Sequence, residues 1–379
     1  MPTIDRRVFC TAAAALPAAA FLPSFSKPFR QPQLDEAALQ VLARTPGFAM
    51  VGSIGGKKAH ELRGLREAGK PQAFDEQTLF PVASLTKSVF SYAVRKLVRA
   101  GRFDLTRPLS AYMDLGLPGE QAKTITGRHA LTHSTGLPNW IFDPKQELAQ
   151  AFAPGTDWSY SGEGYFLLQR VLETAVLKQP IRKFLGETFQ ELGMTDSRLA
   201  LRKEDESRCA RGHGRRGRPD DEDAFYWDRR SYTGIAALGL DPESTTADEK
   251  IAALKKAGKP ALHVAITPNV AGSMWTTAAD FERFLSALAA DIQARADDYV
   301  PRVEVNRMIH WADGIGVDVT GGPAWFQWGD SPGYKNLLWV EQGGKTHLAI
   351  FTNGERGASL YSWLLRHALD ADRAALYWI

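Results

Sequence analysis

Cysteine is nearly absent. Of 379 residues only Cys10 and Cys209 carry a thiol, so no disulfide framework and no cysteine-based zinc set can be built. A dominant charge is missing too: 46 Lys and Arg against 43 Asp and Glu leave a net charge of +3, too little to argue for a nucleic-acid partner. There is no internal repeat, and no apolar run is long enough to cross a bilayer comfortably. With 44% apolar and 23% charged residues the composition is that of an ordinary globular protein, and the length allows two lobes with a sizeable core. No motif implies a metal or an organic cofactor.

The first thirty residues stand apart. Asp5-Arg6-Arg7-Val8-Phe9 is a paired-arginine start, followed from Cys10 to Leu22 by an alanine-rich apolar run and then by small residues and prolines. This is the pattern of a twin-arginine export signal, with Ala18-Ala19-Ala20 as a cleavage region, and it predicts a periplasmic or secreted protein with no membrane span after signal removal. Loss of the signal would leave Cys209 unpaired, a free surface thiol in an arginine-rich stretch.

After the signal, Leu34 to Leu42 predicts a short helix. Gly47–Ile54 and Lys57–Leu65, joined by Gly55-Gly56, predict a β-hairpin. Residues 105–260 are helical and loop-rich, and the mixed charges of Arg202–Asp223 predict a solvated loop. Gly64–Lys70 nearly spells a phosphate loop, but Pro71 stands where Ser or Thr is required. Strand-like runs return at Leu262–Ile266, Gly314–Val319, Lys335–Val340 and His347–Thr352, and a helix over Ser359–Leu369 follows. Strands from both ends of the chain imply an α+β fold. Residues 31–105 and 261–379 would form an antiparallel sheet lobe with flanking helices, and residues 106–260 an inserted, mostly helical lobe. A cleft between them would hold the substrate.

The chemistry starts at Ser84-Leu85-Thr86-Lys87. Apolar residues recur at Val89, Phe90, Ala93, Val94, Leu97 and Val98, cations crowd the last turn, and Gly101 follows, so a helix runs from about Ser84 to Ala100. Residues three apart share a helix face, which brings the Lys87 amine to the Ser84 hydroxyl. A serine hydroxyl becomes nucleophilic only when a neighbour takes its proton, and lysine can do so only if its pKa is lowered. Free amides at a helix start also suit a developing oxyanion. A second Ser-x-x-Lys, Ser24-Phe25-Ser26-Lys27, falls in the export segment.

Two further elements fit. Pro154–Gly162 places Tyr160 just after a Pro-Gly turn and before a helix beginning near Tyr165. A phenol beside a lysine ammonium titrates below its usual value and can serve as a general base. Trp328-Gly329-Asp330-Ser331-Pro332-Gly333 precedes a strand and can offer a backbone N–H to an oxyanion.

Taken together, these elements resemble the serine β-lactamase and penicillin-binding superfamily, in particular its class C-like branch of esterases and D,D-peptidases. The resemblance extends from about Phe48 to Asn353. It covers Phe80–Ala83 before Ser84, Ala130-Leu131-Thr132-His133-Ser134-Thr135-Gly136-Leu137-Pro138, the Pro154–Tyr165 turn, Leu192–Asp196, Ser273–Asp280 and Phe351–Gly354. It implies a β-lactamase/D,D-peptidase-like fold with Ser84 as acylated nucleophile, Lys87 as proton-relay partner and Tyr160 as base. The amides of Ser84 and Ser331 would form the oxyanion hole.

Two departures matter. The family's second element usually ends in Asn, where this chain has Gly162, and its third usually begins with Lys or His, where Trp328-Gly329-Asp330 stands. Tyr334-Lys335-Asn336 lies too late to replace it. A site without that amide and cation has less to grip a penicillin or a peptide carboxylate, and Trp328, with Trp140, Trp158 and Trp227, could line an apolar pocket. The expectation is an exported serine hydrolase that takes a small-molecule ester or amide, foremost a carboxylesterase on small or hydrophobic esters. A β-lactamase or D,D-peptidase/D-aminopeptidase is the second reading, and an inactive protein that binds peptidoglycan fragments the third. The oligomeric state is not legible.

Overall fold

The structure, a computed structural model, describes residues 45–220, 223–369 and 372–378. The export segment and the expected Leu34–Leu42 helix lie outside these residues. Among the described residues no helix is long and apolar enough to cross a membrane.

One eight-stranded antiparallel sheet organises the chain, in the order β2-β1-β10-β9-β8-β7-β6-β5. The hairpin of β1 (Gly47–Ile54) and β2 (Lys57–Gly64) joins the late strands through β1, which pairs with β10 (His347–Thr352), Phe48 opposite Thr352. The other strands are β5 (Val303–Glu304), β6 (Ile309–Ala312), β7 (Ile315–Asp318), β8 (Ala324–Ser331) and β9 (Tyr334–Glu341). Short β3 (Phe80–Pro81) and β4 (Trp275–Thr276) pair separately.

Side chains alternate across a strand, and both faces are buried. Ala49 and Val51 of β1 enter one core cluster with Val89, Phe281 and Leu285, while Phe48 and Met50 enter a second with Leu360, Leu364 and Leu376. Helix α1 (Leu85–Arg99) belongs to the first face. The last two helices, Gly357–Leu369 and Ala375–Trp378, cover the second. Burial on both sides explains the near-continuous apolar runs of β9 and β10.

Several expectations change. Leu262–Ile266 is no strand but a 3-10 turn at His263–Ala265; it is bounded by Pro260 and Pro268, which lack the N–H that a ladder needs. The segment expected as a turn before β9 is mostly strand, because β8 continues through Ser331 and only Pro332-Gly333 turns. The helix Ala278–Ala294, capped by Thr277 accepting from the Asp280 N–H at 3.2 Å, was not singled out, although Phe281, Phe284, Leu285, Leu288 and Ile292 recur at helical spacing.

The Arg202–Asp223 stretch is a packed loop with a solvated tip. Arg215, Arg216 and Arg218 are exposed, whereas Arg208 pairs with Asp196 at 2.6 Å and Arg211 with the buried Asp223 at 3.0 Å. Part of the stretch is thus held by ion pairs and only its tip is solvated. Cys209 lies inside this loop, 4% exposed, its thiol donating to the Asp205 carbonyl. It is therefore a buried thiol, not a surface one, and burial pushes its pKa up, away from nucleophile chemistry.

Candidate active site

Ser84 is set by its neighbours. Ala83 adopts φ +47°, a left-handed conformation that costs a non-glycine residue energy and recurs where structure and chemistry meet. That kink lets β3 run directly into α1, with Ser84 as its N-cap, already near-helical at φ −66° and ψ −8°. The Thr86 hydroxyl donates to the Ala83 carbonyl at 2.6 Å and accepts from the Met274 N–H at 3.2 Å. It ties the kink to the segment before β4.

Lys87, one turn on, is 1% exposed. Its Nζ lies 3.0 Å from Ser84 Oγ and donates to the Ala271 carbonyl at 2.6 Å. That carbonyl is held in place because the Val270 and Ala271 amides donate to Gln169 Oε1 and Asn269 Oδ1, each at 2.9 Å. No carboxylate pairs with Lys87 among the described residues. Burial without a counter-charge disfavours the ammonium and lowers its pKa from 10.5 to about 7.

Tyr160 reaches the same place from the turn before helix Gly162–Val171. The turn docks on the segment after Ala130: the Ser159 amide donates to the His133 carbonyl at 2.9 Å, and the Ser161 amide to His133 Nδ1 at 3.0 Å. The Tyr160 ring is sandwiched between His133, centroids 4.1 Å apart, and Trp328 at 5.4 Å. Its phenol is hydrogen-bonded to Ser84, and Lys87 Nζ sits 4.9 Å from its ring centroid. Burial raises the phenol's pKa above 10, opposite to the lowering expected from a neighbouring cation. Desolvation outweighs the hydrogen bonds from Ser84 and Gln327, and the lysine is itself shifted towards the neutral amine. His133 is likewise held neutral, its pKa pushed well below 6.5 by burial and by Lys87.

The geometry revises the third element. β7 pairs with β8 only over Ala324–Phe326, so the edge of β8 from Gln327 to Ser331 is open. Gly329 lies flush against α1: a Cβ there would stand 2.2 Å from the Val82 carbonyl oxygen and 3.3 Å from Leu85 Cγ. From β9, Asn336 Nδ2 donates to the Pro81 carbonyl at 2.9 Å and clamps the same segment. Antiparallel strands turn successive amides to alternate neighbours, and a two-residue hairpin closes on a hydrogen-bonded pair. Pro332-Gly333 closes on Ser331 and Tyr334, so the Ser331 amide faces β9. The amides of Asp330 and Trp328 face the open edge. The Ser331 amide, expected in the oxyanion hole, is thus turned towards β9, one residue out of register with the open edge. The Asp330 side chain forms an ion pair with Lys335, which also pairs with Glu355 at 3.0 Å.

Gln327, which the sequence reading passed over, meets the site directly. Fully buried, it donates through Nε2 to the Tyr160 phenol oxygen and to the Trp328 carbonyl, each at 2.9 Å. Its place two residues before the flush Gly329 was the signal available.

At Gly162 a Cβ would fall 2.4 Å from the Trp140 indole and 2.7 Å from the Asn139 carbonyl. The indole fills the space into which a side chain at that position would project. Gly162→Ala should therefore displace Trp140 or destabilise the fold by about 1–3 kcal/mol, read as a lowered denaturation midpoint. Of the expected tryptophan pocket, Trp328 packs on Trp378 at 5.0 Å, and Trp158 contacts Trp378 at 5.5 Å and Trp311 at 5.6 Å. Trp140 stands apart at Gly162, and Trp227 is exposed, in contact with Tyr226.

The fold that carries this site is shared with known proteins. A model of the Beta-lactamase family matches residues 34–371, and the chain belongs to that family. Esterase EstB of Burkholderia gladioli is 30% identical over 219 residues, which is 49% of this chain and 55% of EstB. An uncharacterized protein of Alkalihalophilus pseudofirmus is 32% identical over 126 residues, 33% of this chain and 35% of its own length. The chain thus spans between a third and just over half the length of these relatives. A class C beta-lactamase structure aligns at TM-score 0.67 and 16% identity, covering 89% of this chain and 95% of that one, which shows the shared β-lactamase/penicillin-binding fold.

Proposed function

We propose that the protein is a serine hydrolase that works through a Ser84 acyl-enzyme, and that its substrates are neutral carboxylic esters. The observation that carries this reading is the buried Lys87 amine, with no opposing carboxylate, 3.0 Å from the Ser84 hydroxyl. Titrating at about 7, it is substantially neutral at physiological pH and able to take a proton. Ser84 Oγ attacks the ester carbonyl and its proton passes to Lys87. The oxyanion is held by the amides of Ser84 and Asp330. As the C–O bond breaks, the departing alkoxide takes the Tyr160 proton, which the Lys87 ammonium replaces. Water then attacks the acyl-enzyme, gives its proton to the same pair, and Ser84 regains its hydrogen.

The preference for neutral esters is supported by what surrounds Ser84. The position beside the phenol is the uncharged Gln327, Lys335 is engaged by Asp330 and Glu355, and Gly162 offers no amide. The similarity to an esterase agrees with it. Incubation with a p-nitrophenyl ester and with a chromogenic cephalosporin tests the proposal. Turnover of the ester alone is the expected result, turnover of the cephalosporin would favour a β-lactamase, and silence to both with no mass added at Ser84 would favour a binding role. Export by the twin-arginine route, to the periplasm or beyond, is proposed on Arg6-Arg7 and the apolar run after them. It is tested by whether Arg6→Lys/Arg7→Lys retains the protein in the cytoplasm.

The lowered Lys87 pKa gives a pH prediction. Since only the free amine accepts the proton, kcat/KM should rise as pH increases through about 7 and then level off. Stability follows the same group. Between about 7 and 10.5 the unfolded chain binds a proton at this lysine that the folded chain does not, so stability increases with pH across that window. Lys87→Met should remove both slopes, measured as rate and as melting temperature against pH.

A further inference from the structure

We propose that Gln327 is a positioning residue that sets the direction of the proton chain at the active site, and thereby makes Lys87 the proton acceptor and Tyr160 the proton donor in acylation. The inference deepens the hydrolase reading above and rests on it.

The side-chain amide of Gln327 lies between the Trp328 carbonyl oxygen and the Tyr160 phenol oxygen, 2.9 Å from each. A backbone carbonyl can only accept, so the atom between them is the NH2 group, and one of its two hydrogens goes to each neighbour. The Tyr160 oxygen accepts from Gln327, which leaves its own hydrogen to turn to the other side, where its partner is Ser84. Lys87 Nζ donates to Ser84 Oγ at 3.0 Å and to the Ala271 carbonyl at 2.6 Å. When the amine is free its lone pair can face Ser84 instead, and because the phenol oxygen already accepts from Gln327 and turns its own hydrogen to Ser84, the serine proton leaves towards Lys87. Turning the phenol round would set two hydrogens against each other at Gln327 and leave a buried donor unpaired.

The rest of the environment allows no rival orientation. The ring nitrogen of His133 nearest in sequence contacts accepts from Ser161, and the His133 ring meets Tyr160 face to face, not edge on to its oxygen. On the opposite face Trp328 stacks on the same ring at 28°. The phenol's in-plane partners are therefore Gln327 and Ser84. Gln327 Oε1, the other end of the amide, is buried with no hydrogen-bonding partner among the described residues. An amide that leaves its own oxygen unpaired while using both hydrogens is held for its donors. A carboxylate at this position would do the opposite: it would accept the phenol's hydrogen and draw it away from Ser84.

Two variants test the idea. Gln327→Glu is expected to lower kcat on an ester about 100-fold at pH 8, with KM little changed. The ratio of variant to wild-type kcat should climb as pH falls and the new carboxyl gains a proton that it can donate to the phenol. Gln327→Met removes the donors but keeps the length. Because Tyr160 supplies the leaving group's proton, its rate loss should be about 10-fold greater on an ethyl ester than on a p-nitrophenyl ester of the same acid, whose leaving group needs no proton. A pH-independent ratio in Gln327→Glu, or equal losses on the two esters in Gln327→Met, would overturn the proposal and leave Gln327 a packing residue. The Gln327→Met comparison stands even if Gln327→Glu does not fold. A wild type that turns over neither ester removes the hydrolase reading and this one with it, whereas an active wild type with unaltered variants sinks only the second.

Discussion

Ser84→Ala should reduce ester turnover at least 10⁴-fold, roughly to what the remaining amides and Lys87 achieve with bound water. The fold should tolerate the change. Ser84 is partly exposed, and its side chain makes no capping bond to α1, so the melting temperature should stay within about 2 °C. The acyl-enzyme gives a second readout. Wild type quenched during turnover should gain the mass of the acyl group on the peptide carrying Ser84, and the alanine variant should gain none. Loss of turnover without any acyl adduct on wild type would place the nucleophile elsewhere.

Tyr160→Phe should lower kcat by about 10²–10³-fold, with folding intact, because the ring still fits between His133 and Trp328 and only the oxygen is lost. Deleting that oxygen also leaves the Gln327 donor aimed at a hydrogen-free ring edge, so a small loss of stability, about 1 kcal/mol, accompanies the loss of rate. The deficit should shrink for substrates whose leaving groups depart unprotonated. Unchanged rates on an alkyl ester would remove Tyr160 from the reaction.

The parts of this site that sequence made legible are local. Ser84 and Lys87 are three residues apart on one helix with a clear apolar stripe, so their juxtaposition follows from helical geometry alone. Tyr160 was found through its Pro-Gly turn, yet the sign of its titration was misjudged. Sequence shows the cation next to the phenol but not the burial that overrides it. Gln327 was missed, and the oxyanion amide was placed at Ser331 and not at Asp330, because β8 reads equally well in two registers, and choosing between them requires knowing that Gly329 meets Val82 across a distance of 247 positions in the chain. Strands β7, β9 and β10 emerged from their apolar runs, while β8, broken by Gln327, Gly329 and Asp330, was read in part as a turn, and two-residue β5 is too short to carry a period. Leu262–Ile266 shows the converse: its apolar content mimics a strand, and only the flanking prolines speak against it.

The pairing of β1 with β10 has a consequence for how the chain is made. Phe48 and its partner Thr352 are separated by almost the whole polypeptide, so during synthesis β1 has only its hairpin mate until the ribosome has passed the tenth strand. The seam that completes the sheet is therefore among the last contacts to form, and such long loop closures fold slowly. Until then an apolar strand edge is left open to other chains. Recovery from denaturant should accordingly be slow and dependent on protein concentration, and a nascent chain stalled before residue 347 should be prone to aggregate.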